Sequence, residues 1–133
     1  MITLTYMKGT TMYKTIYKKI AAGVAVVFSL LTIVEGTQVL LGITQPEYVV
    51  LTPLLVYNVT MGVVGIFAGV ALWINYGWSL KLTMIVVAAH LIVLLIVAAI
   101  YLAGGAVASH SVNAMVIRSV IWAAITLVAW KTR

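Results

Sequence analysis

Cysteine is absent from this chain of 133 residues. Its absence excludes disulfide bonds, thiolate metal sites, haem attachment through a C-x-x-C-H motif and thiol redox chemistry. Charge is scarce as well, because charged residues make up only 8% of the sequence, against about 25% in a soluble domain. So few charges cannot cover a water-facing surface of this size, and the composition therefore predicts a membrane protein.

Motifs for catalysis, metal binding or nucleotide binding are lacking too. The sequence shows no paired carboxylates, no nucleophile with its base and no metal-ligand cluster, so it does not favour an enzyme that acts alone. The net charge of +6 does not indicate a nucleic acid partner. The lysines flank apolar segments instead of forming a patch, which is the pattern of the positive-inside rule.

Four long apolar stretches fill most of the chain. About 20 residues at a rise of 1.5 Å cross the ~30 Å hydrocarbon core, and each stretch is long enough. The predicted spans are Ile16–Leu41, Gln45–Ile74, Leu80–Leu102 and a fourth that starts with a cap at Ser109, Ser111 or Asn113 and ends near Trp130. We predict a single all-α domain over residues 1–133, a four-helix transmembrane bundle with up-down-up-down topology, preceded by a polar, partly helical or frayed tail over residues 1–15.

Turn and cap residues set the boundaries around the second span. Gly42 is expected to end the first helix as a C-cap glycine. Thr44 followed by Glu47 has the spacing of a capping box, and Pro46 suits a first helical turn, so the second helix is predicted to begin near Gln45. Pro53 then falls inside that helix and is expected to kink it.

The basic residues predict the orientation. All those that flank the spans belong to one side of a four-span bundle: Lys14, Lys18, Lys19, Lys81, Lys131 and Arg133. The two loops predicted on the other side, residues 42–45 and 103–111, contain no Lys or Arg. Both termini are therefore expected to be cytoplasmic, in a membrane of the prokaryotic cytoplasmic type.

Glu35 and Arg118 are the only acid and the only strong base deep within the predicted spans. Each lies about six residues, or roughly 9 Å at the helical rise, from the same side of the membrane. An isolated charge at mid-bilayer costs on the order of 2.5–3.5 kcal/mol on the insertion scale. We therefore predict an ion pair between them, which serves either to fix helix register or as part of a substrate or proton site.

His90 and Asn58 are both expected near the membrane midplane, where they could share a hydrogen bond. A histidine at that depth is a packing residue, a proton relay, a quinone ligand or an axial ligand of haem b. His110 lies too close to the membrane surface to clamp the same haem. A second copy of His90 across a two-fold axis is the better second ligand, and Met61 is a poorer one.

Glycines predict one face of the second helix. Asn58, Gly62, Gly65 and Gly69 follow the spacing i, i+4, i+7 and i+11, and Gly65 and Gly69 form a small-xxx-small pattern that lets another backbone approach. This face indicates packing within the bundle, a dimer seam, or a groove for lipid or cofactor. Gln38, on the same helical face as Glu35, is expected to extend a polar pocket toward His110 and Asn113.

Two classes of function fit these residues. One is a small integral subunit of a larger membrane complex, such as a respiratory complex, that binds quinone or haem near His90 and takes part in electron transport with other membrane subunits or a second copy. The other is a small transporter or channel with Glu35, Arg118, Gln38 and His90 as its polar pathway. In size and number of spans the chain resembles DoxX-like and other small four-span membrane proteins, a likeness that assigns no role to any residue.

Overall fold

A computed structural model of the protein describes residues 2–47, 50–105 and 107–133, with side chains from residue 12 onward. The described residues form four α-helices and no strand: α1 (Ile2–Leu40), α2 (Thr52–Trp73), α3 (Ser79–Leu102) and α4 (Ser109–Lys131). Each has the length and apolar composition of a membrane span, which in α1 is limited to Met12–Leu40. The all-helical, multi-pass class predicted from the sequence is confirmed at this level.

The N-terminal residues were predicted to form a polar tail that is partly helical or frayed. In the structure they are helical from Ile2 onward. α1 begins at Ile2 and continues for 39 residues without interruption. The first proline of the chain is Pro46, so nothing in the first 40 residues lacks a backbone N–H or forces a break. The polar stretch therefore extends the helix beyond the part that has the composition of a span.

The predicted start of α2 at Gln45 is wrong, and so is the predicted kink at Pro53. α2 begins at Thr52, and Pro53 lies in its first turn. A proline is tolerated there because the first N–H groups of a helix have no partner within it. Thr44 and Glu47, the supposed capping box, precede the helix without being part of it, while Tyr48 and Val49 lie outside the described residues.

The turns that end α1, α2 and α3 each contain a residue with positive φ. Gly42 has φ 76°, Asn75 has φ 57° and Gly104 has φ 79°, in the left-handed region that glycine and asparagine adopt most readily. The predicted glycine cap after α1 is thus confirmed. The predicted side-chain cap of α4 is wrong, because Ala108 occupies the N-cap position and contributes no side-chain hydrogen bond.

The helices pack as two close pairs. α1 makes its most extensive contacts with α2, and α3 makes its own with α4. Lys18 of α1 donates a hydrogen bond to Asn75 after α2, and we call this end of the bundle the lysine end. A cleft lies at the opposite end, which we call the cleft end. Its lining includes Glu35 of α1, Leu51 before α2 and His110 of α4.

Two apolar clusters fill the space between the helices. The larger lies toward the lysine end and is made of small side chains around a few large ones: Ala21, Ala22, Ala25, Ala68, Leu72, Val86, Trp122, Ile125 and Ala129. The smaller contains Leu54, Val97, Val107 and Met115. The polar side chains of the candidate site lie between and beside these clusters.

Candidate functional site: a polar cleft with a buried Tyr–His pair

The main cleft lies between α1, α2 and α4. It contains about 620 Å³ of empty space, a large part of which is open to the surroundings. α2 and the residues before it contribute an apolar wall that includes three leucines, Leu51, Leu54 and Leu55. The polar wall is formed by Thr32, Glu35, Asn58, His110, Ser111 and Arg118. The cleft is therefore amphipathic, with one side suited to an apolar body and the other to a polar group.

A smaller cavity continues from the cleft into the bundle. It contains about 200 Å³ of empty space, and its wall includes His90, Met61 and Trp122. Thr32, Asn58 and Arg118 line both spaces. The structure thus brings three of the sequence-predicted residues, His90, Asn58 and Arg118, to the walls of two adjoining spaces.

The hydrogen-bond partner of His90 is Tyr57, not Asn58 as the sequence predicted. The Tyr57 hydroxyl and His90 Nδ1 are 3.0 Å apart, and the imidazole tautomer decides which of the two donates. The two rings meet edge to face, with centroids 5.8 Å apart. Tyr57 points about 100° away from Asn58 around the helix, but its side chain is long enough for the hydroxyl to reach His90.

Asn58 is left with a buried carbonyl oxygen. Its side chain is 8% exposed, and its Oδ1 accepts no hydrogen bond from the described part of the chain. Ser29 Oγ, on the wall of the smaller cavity, is in the same situation. Buried polar atoms normally have a partner because an unmade hydrogen bond costs about 1–3 kcal/mol. Both atoms can therefore bond to water or to a ligand that enters from the cleft.

Glu35 and Arg118 lie on the wall of the same cleft. Glu35 is exposed and Arg118 is partly buried. Their shared location is what the predicted ion pair requires, and the pair itself stays a prediction. Gln38 and Asn113, which were expected to extend this pocket, are instead exposed and do not belong to the cleft wall, whereas His110 does.

The glycine face of α2 lies against α1. A Cβ atom at Gly62 would stand 2.6 Å from Ile33 Cγ1, and one at Gly69 would stand 2.7 Å from Val26 Cγ2, both closer than real contacts allow. At Gly65 an added Cβ would overlap Ser29 of α1 and lie 2.8 Å from the Trp122 ring of α4. These three glycines therefore let α2 pack closely against α1, and Gly65 also lets it approach Trp122 of α4.

A haem at His90 does not fit this arrangement. Even when all of its empty space is counted, the cavity beside the His90 ring holds about 200 Å³, below the ~300 Å³ lower bound for ordinary ligand pockets. His90 is also only 3% exposed, so a second copy of the chain cannot bring its own His90 to the same iron. Among the residues that the structure describes, no three His, Cys, Asp or Glu side chains are grouped as metal ligands.

Sequence reasoning missed Tyr57 and Thr32 as members of the site. The available signal for Tyr57 was a hydroxyl within an apolar span, one position from Asn58. No protein-family model matches this sequence, and no curated protein or solved structure is significantly similar to it. The chemistry of the cleft is therefore the basis for assigning a function.

Proposed function

We propose that this protein is a small integral subunit of a larger membrane complex, and that its cleft binds the headgroup of a quinone. In this proposal Asn58 and Arg118 hydrogen-bond the headgroup, and the Tyr57–His90 pair relays protons at the closed end. The observation that carries this proposal is that the amphipathic cleft adjoins a cavity whose wall includes His90, the hydrogen-bond partner of Tyr57. Electrons would be supplied by partner subunits.

The chemistry of a quinone matches both walls of the cleft. Its ring and isoprenoid tail are apolar, and its carbonyl oxygens accept hydrogen bonds. The leucines before and in α2 suit the apolar part, while the Arg118 guanidinium and the Asn58 amide can donate to a carbonyl. When a quinone becomes a quinol, its new hydroxyl groups can donate to Asn58 Oδ1, the buried acceptor described above.

Proton exchange is the role that the buried pair supports best. Reduction of a quinone to a quinol takes up two electrons and two protons, and a neutral imidazole can pass a proton from one ring nitrogen to the other. His90 borders the smaller cavity on one side and bonds the Tyr57 hydroxyl on the other. Water in that cavity would connect the imidazole to a headgroup held by Asn58.

The proposal also assigns an orientation in the membrane. Antiparallel spans with both termini in the cytoplasm would make the lysine end cytoplasmic and open the cleft toward the opposite side. The support is the concentration of basic residues at the lysine end, together with Trp73, Trp78 and Trp130 close by in sequence. Reporter fusions at Arg133 and Gly105 should give opposite signals, and equal signals would contradict this orientation.

Quinone binding can be measured by tryptophan fluorescence. Trp122 lines the smaller cavity, so a short-chain quinone added to the purified protein in nanodiscs should quench its emission saturably. Asn58→Leu should weaken binding about tenfold, since it removes hydrogen bonds of about 1 kcal/mol each. Thr60→Val on the same helix is the matched control, because Thr60 is exposed and bonds only its own helix at Val56.

Two results would reject this function. Quenching that does not saturate would show partition of the quinone into lipid and no site. Equal affinity in the wild type, Asn58→Leu and Thr60→Val would show a site elsewhere in the molecule. Quinone that co-purifies with the wild type and is lost from Asn58→Leu would support the proposal independently of fluorescence.

Transport of a small solute is the second candidate, and one observation favours it. The cleft is open at one end, while the helices at the lysine end are closed by a dry apolar cluster that includes Ala25, Ala68 and Leu72. A transporter in one of two alternating states has this form. Glu35 and Arg118 would then bind the solute, and His90 would lie at the barrier. Uptake of the solute by vesicles that contain the purified protein alone would favour this function over the first.

A further inference from the structure

A second, separate groove lies between α1 and α2 toward the lysine end. Its walls are Ala22, Gly23, Val26 and Val27 of α1 and Val70 and Trp73 of α2, and it contains about 570 Å³ of empty space. Every one of these side chains is apolar or absent, and none of them lines the cleft. The groove is open to the surroundings, since Val27, Val70 and Trp73 are all about half exposed.

Gly23 leaves this groove deep. A Cβ atom at Gly23 would meet no atom within 4 Å, in contrast to Gly62, Gly65 and Gly69, where it would meet α1. A glycine inside a helix costs about 1 kcal/mol relative to alanine. Packing within the described chain does not account for that cost at Gly23. The missing side chain instead leaves room for a group from outside the chain.

Two ammonium groups are held at the mouth of the groove. Lys19, one turn before Gly23 on α1, places its Nζ 5.1 Å from the centre of the Trp73 ring, so the tryptophan of the groove wall fixes the lysine by a cation–π contact. Lys18 Nζ lies 2.6 Å from Asn75 Oδ1, just beyond the end of α2. Each ammonium has three N–H donors, so these contacts leave donors for a further partner.

The positive charge at the mouth of the groove is not balanced by acidic side chains. The sequence contains only two acidic residues, Glu35 and Glu47, and these belong to the cleft wall and to the segment between α1 and α2. Lysines beside a membrane span attract anionic lipid by about 1 kcal/mol each. An apolar groove that ends at two fixed ammonium groups therefore complements a molecule with an acyl chain and a phosphate.

We propose that this groove binds one anionic phospholipid from the leaflet at the lysine end. One acyl chain lies over Gly23 between Val27 and Val70, and the phosphate accepts hydrogen bonds from Lys19 and Lys18. Trp73 contacts the boundary between the chain and the headgroup, the depth at which tryptophan is enriched in membrane proteins. The site is independent of the cleft and of any quinone.

The test uses the full chain in nanodiscs of phosphatidylcholine with a minor fraction of phosphatidylglycerol, followed by native mass spectrometry of retained lipid. Gly23→Leu places a side chain in the groove, where its Cβ meets no described atom within 4 Å, and Lys19→Gln removes one ammonium. We expect each to lower the retained phosphatidylglycerol about fivefold or more. The controls are Ala88→Leu, which adds three of the same four carbons at an exposed site on α3, and Lys131→Gln, which removes a cation at the end of α4. Both should retain the wild-type amount.

The other outcomes overturn the proposal, each in its own way. Unchanged retention in Gly23→Leu would mean that the lipid binds elsewhere. Loss in Gly23→Leu with no loss in Lys19→Gln would show that the groove holds lipid by its acyl chain alone and does not recognise the anionic headgroup. A change from dimer to monomer in Gly23→Leu, with lipid retained, would assign the groove to a second copy of the chain. Loss in the controls as well would show that only the general charge or bulk of the surface matters.

Discussion

The two ends of the bundle differ in what fills the space between the helices. Toward the lysine end, small residues let the helices approach closely in the interior, and the empty space lies in apolar grooves that open outward. The residues completely buried there are Ala22, Ala25, Ala68, Leu72 and Val86. At the cleft end, polar side chains from α1, α2 and α4 surround about 620 Å³ of empty space. The comparison indicates that the apolar packing of the bundle is concentrated toward one end and its polar cleft lies at the other.

The largest effect is expected where the two ends meet, at Gly65. Leucine at this position would overlap Ser29 of α1 and the Trp122 ring of α4, and overpacking of this kind costs about 1–3 kcal/mol or more. Gly65→Leu should therefore abolish monodisperse, folded protein in detergent, measured by size exclusion and thermal melting. Val63→Leu, at an exposed position two residues earlier, should melt as the wild type does. Normal melting of both variants would contradict the close approach of α1, α2 and α4.

The next effect concerns charge within the cleft. Glu35→Arg or Arg118→Glu alone would place like charges on one cleft wall, and each should lower the free energy of unfolding by up to about 3 kcal/mol. The charge-swapped double variant should recover much of this loss. Lys131→Glu, at the exposed lysine end, should change stability by no more than about 0.5 kcal/mol. A double variant that equals the sum of its two singles would contradict the predicted ion pair.

A smaller effect is expected from the buried pair. Tyr57→Phe removes the hydroxyl that bonds His90 Nδ1, and hydrogen bonds between membrane helices contribute about 0.6 kcal/mol on average. Stability should fall by about that amount, while proton uptake on quinone reduction should slow much more. In a double-mutant cycle with His90→Gln, the two losses should not add. Additive losses in both measurements would mean that the pair does not act as a unit.

Prediction from sequence worked where a strong physical constraint acts over many residues. Four apolar stretches of span length predict four helices, and Gly42 and Asn75 end helices because they adopt positive φ easily. It failed where two local signals compete. The spacing of Thr44 and Glu47 fits a helix start, but so does Pro53, and the chain uses the later one.

The candidate functional site was predicted only in part, because the sequence indicates the depth of a residue in the membrane better than its orientation. The depth of a residue along a span follows from its number, so the sequence placed His90 with Asn58 near the midplane and Arg118 with Glu35 nearer one surface. The rotation of each helix and the reach of a side chain depend on packing, which the chain does not encode locally. Tyr57 was therefore missed as the partner of His90, and Gln38 was wrongly included in the cleft.

The smallest effect is expected at Pro53, and it tests how the cleft end is built. Because α2 begins at Thr52, Val50 and Leu51 are free of the helix and line the cleft, with Leu51 extended at φ −90° and ψ 101°. Pro53 lies in the first turn, so Pro53→Ala should change the free energy of unfolding by less than about 1 kcal/mol. A proline in the interior of the same helix, introduced by Val63→Pro, should cost about 3 kcal/mol. If Pro53→Ala instead stabilised the protein by a comparable amount, Pro53 would be straining the interior of a longer helix that begins near Gln45. The wall contributed by Val50 and Leu51 would then be helical. The described difference between an open cleft end and a closed lysine end would no longer hold.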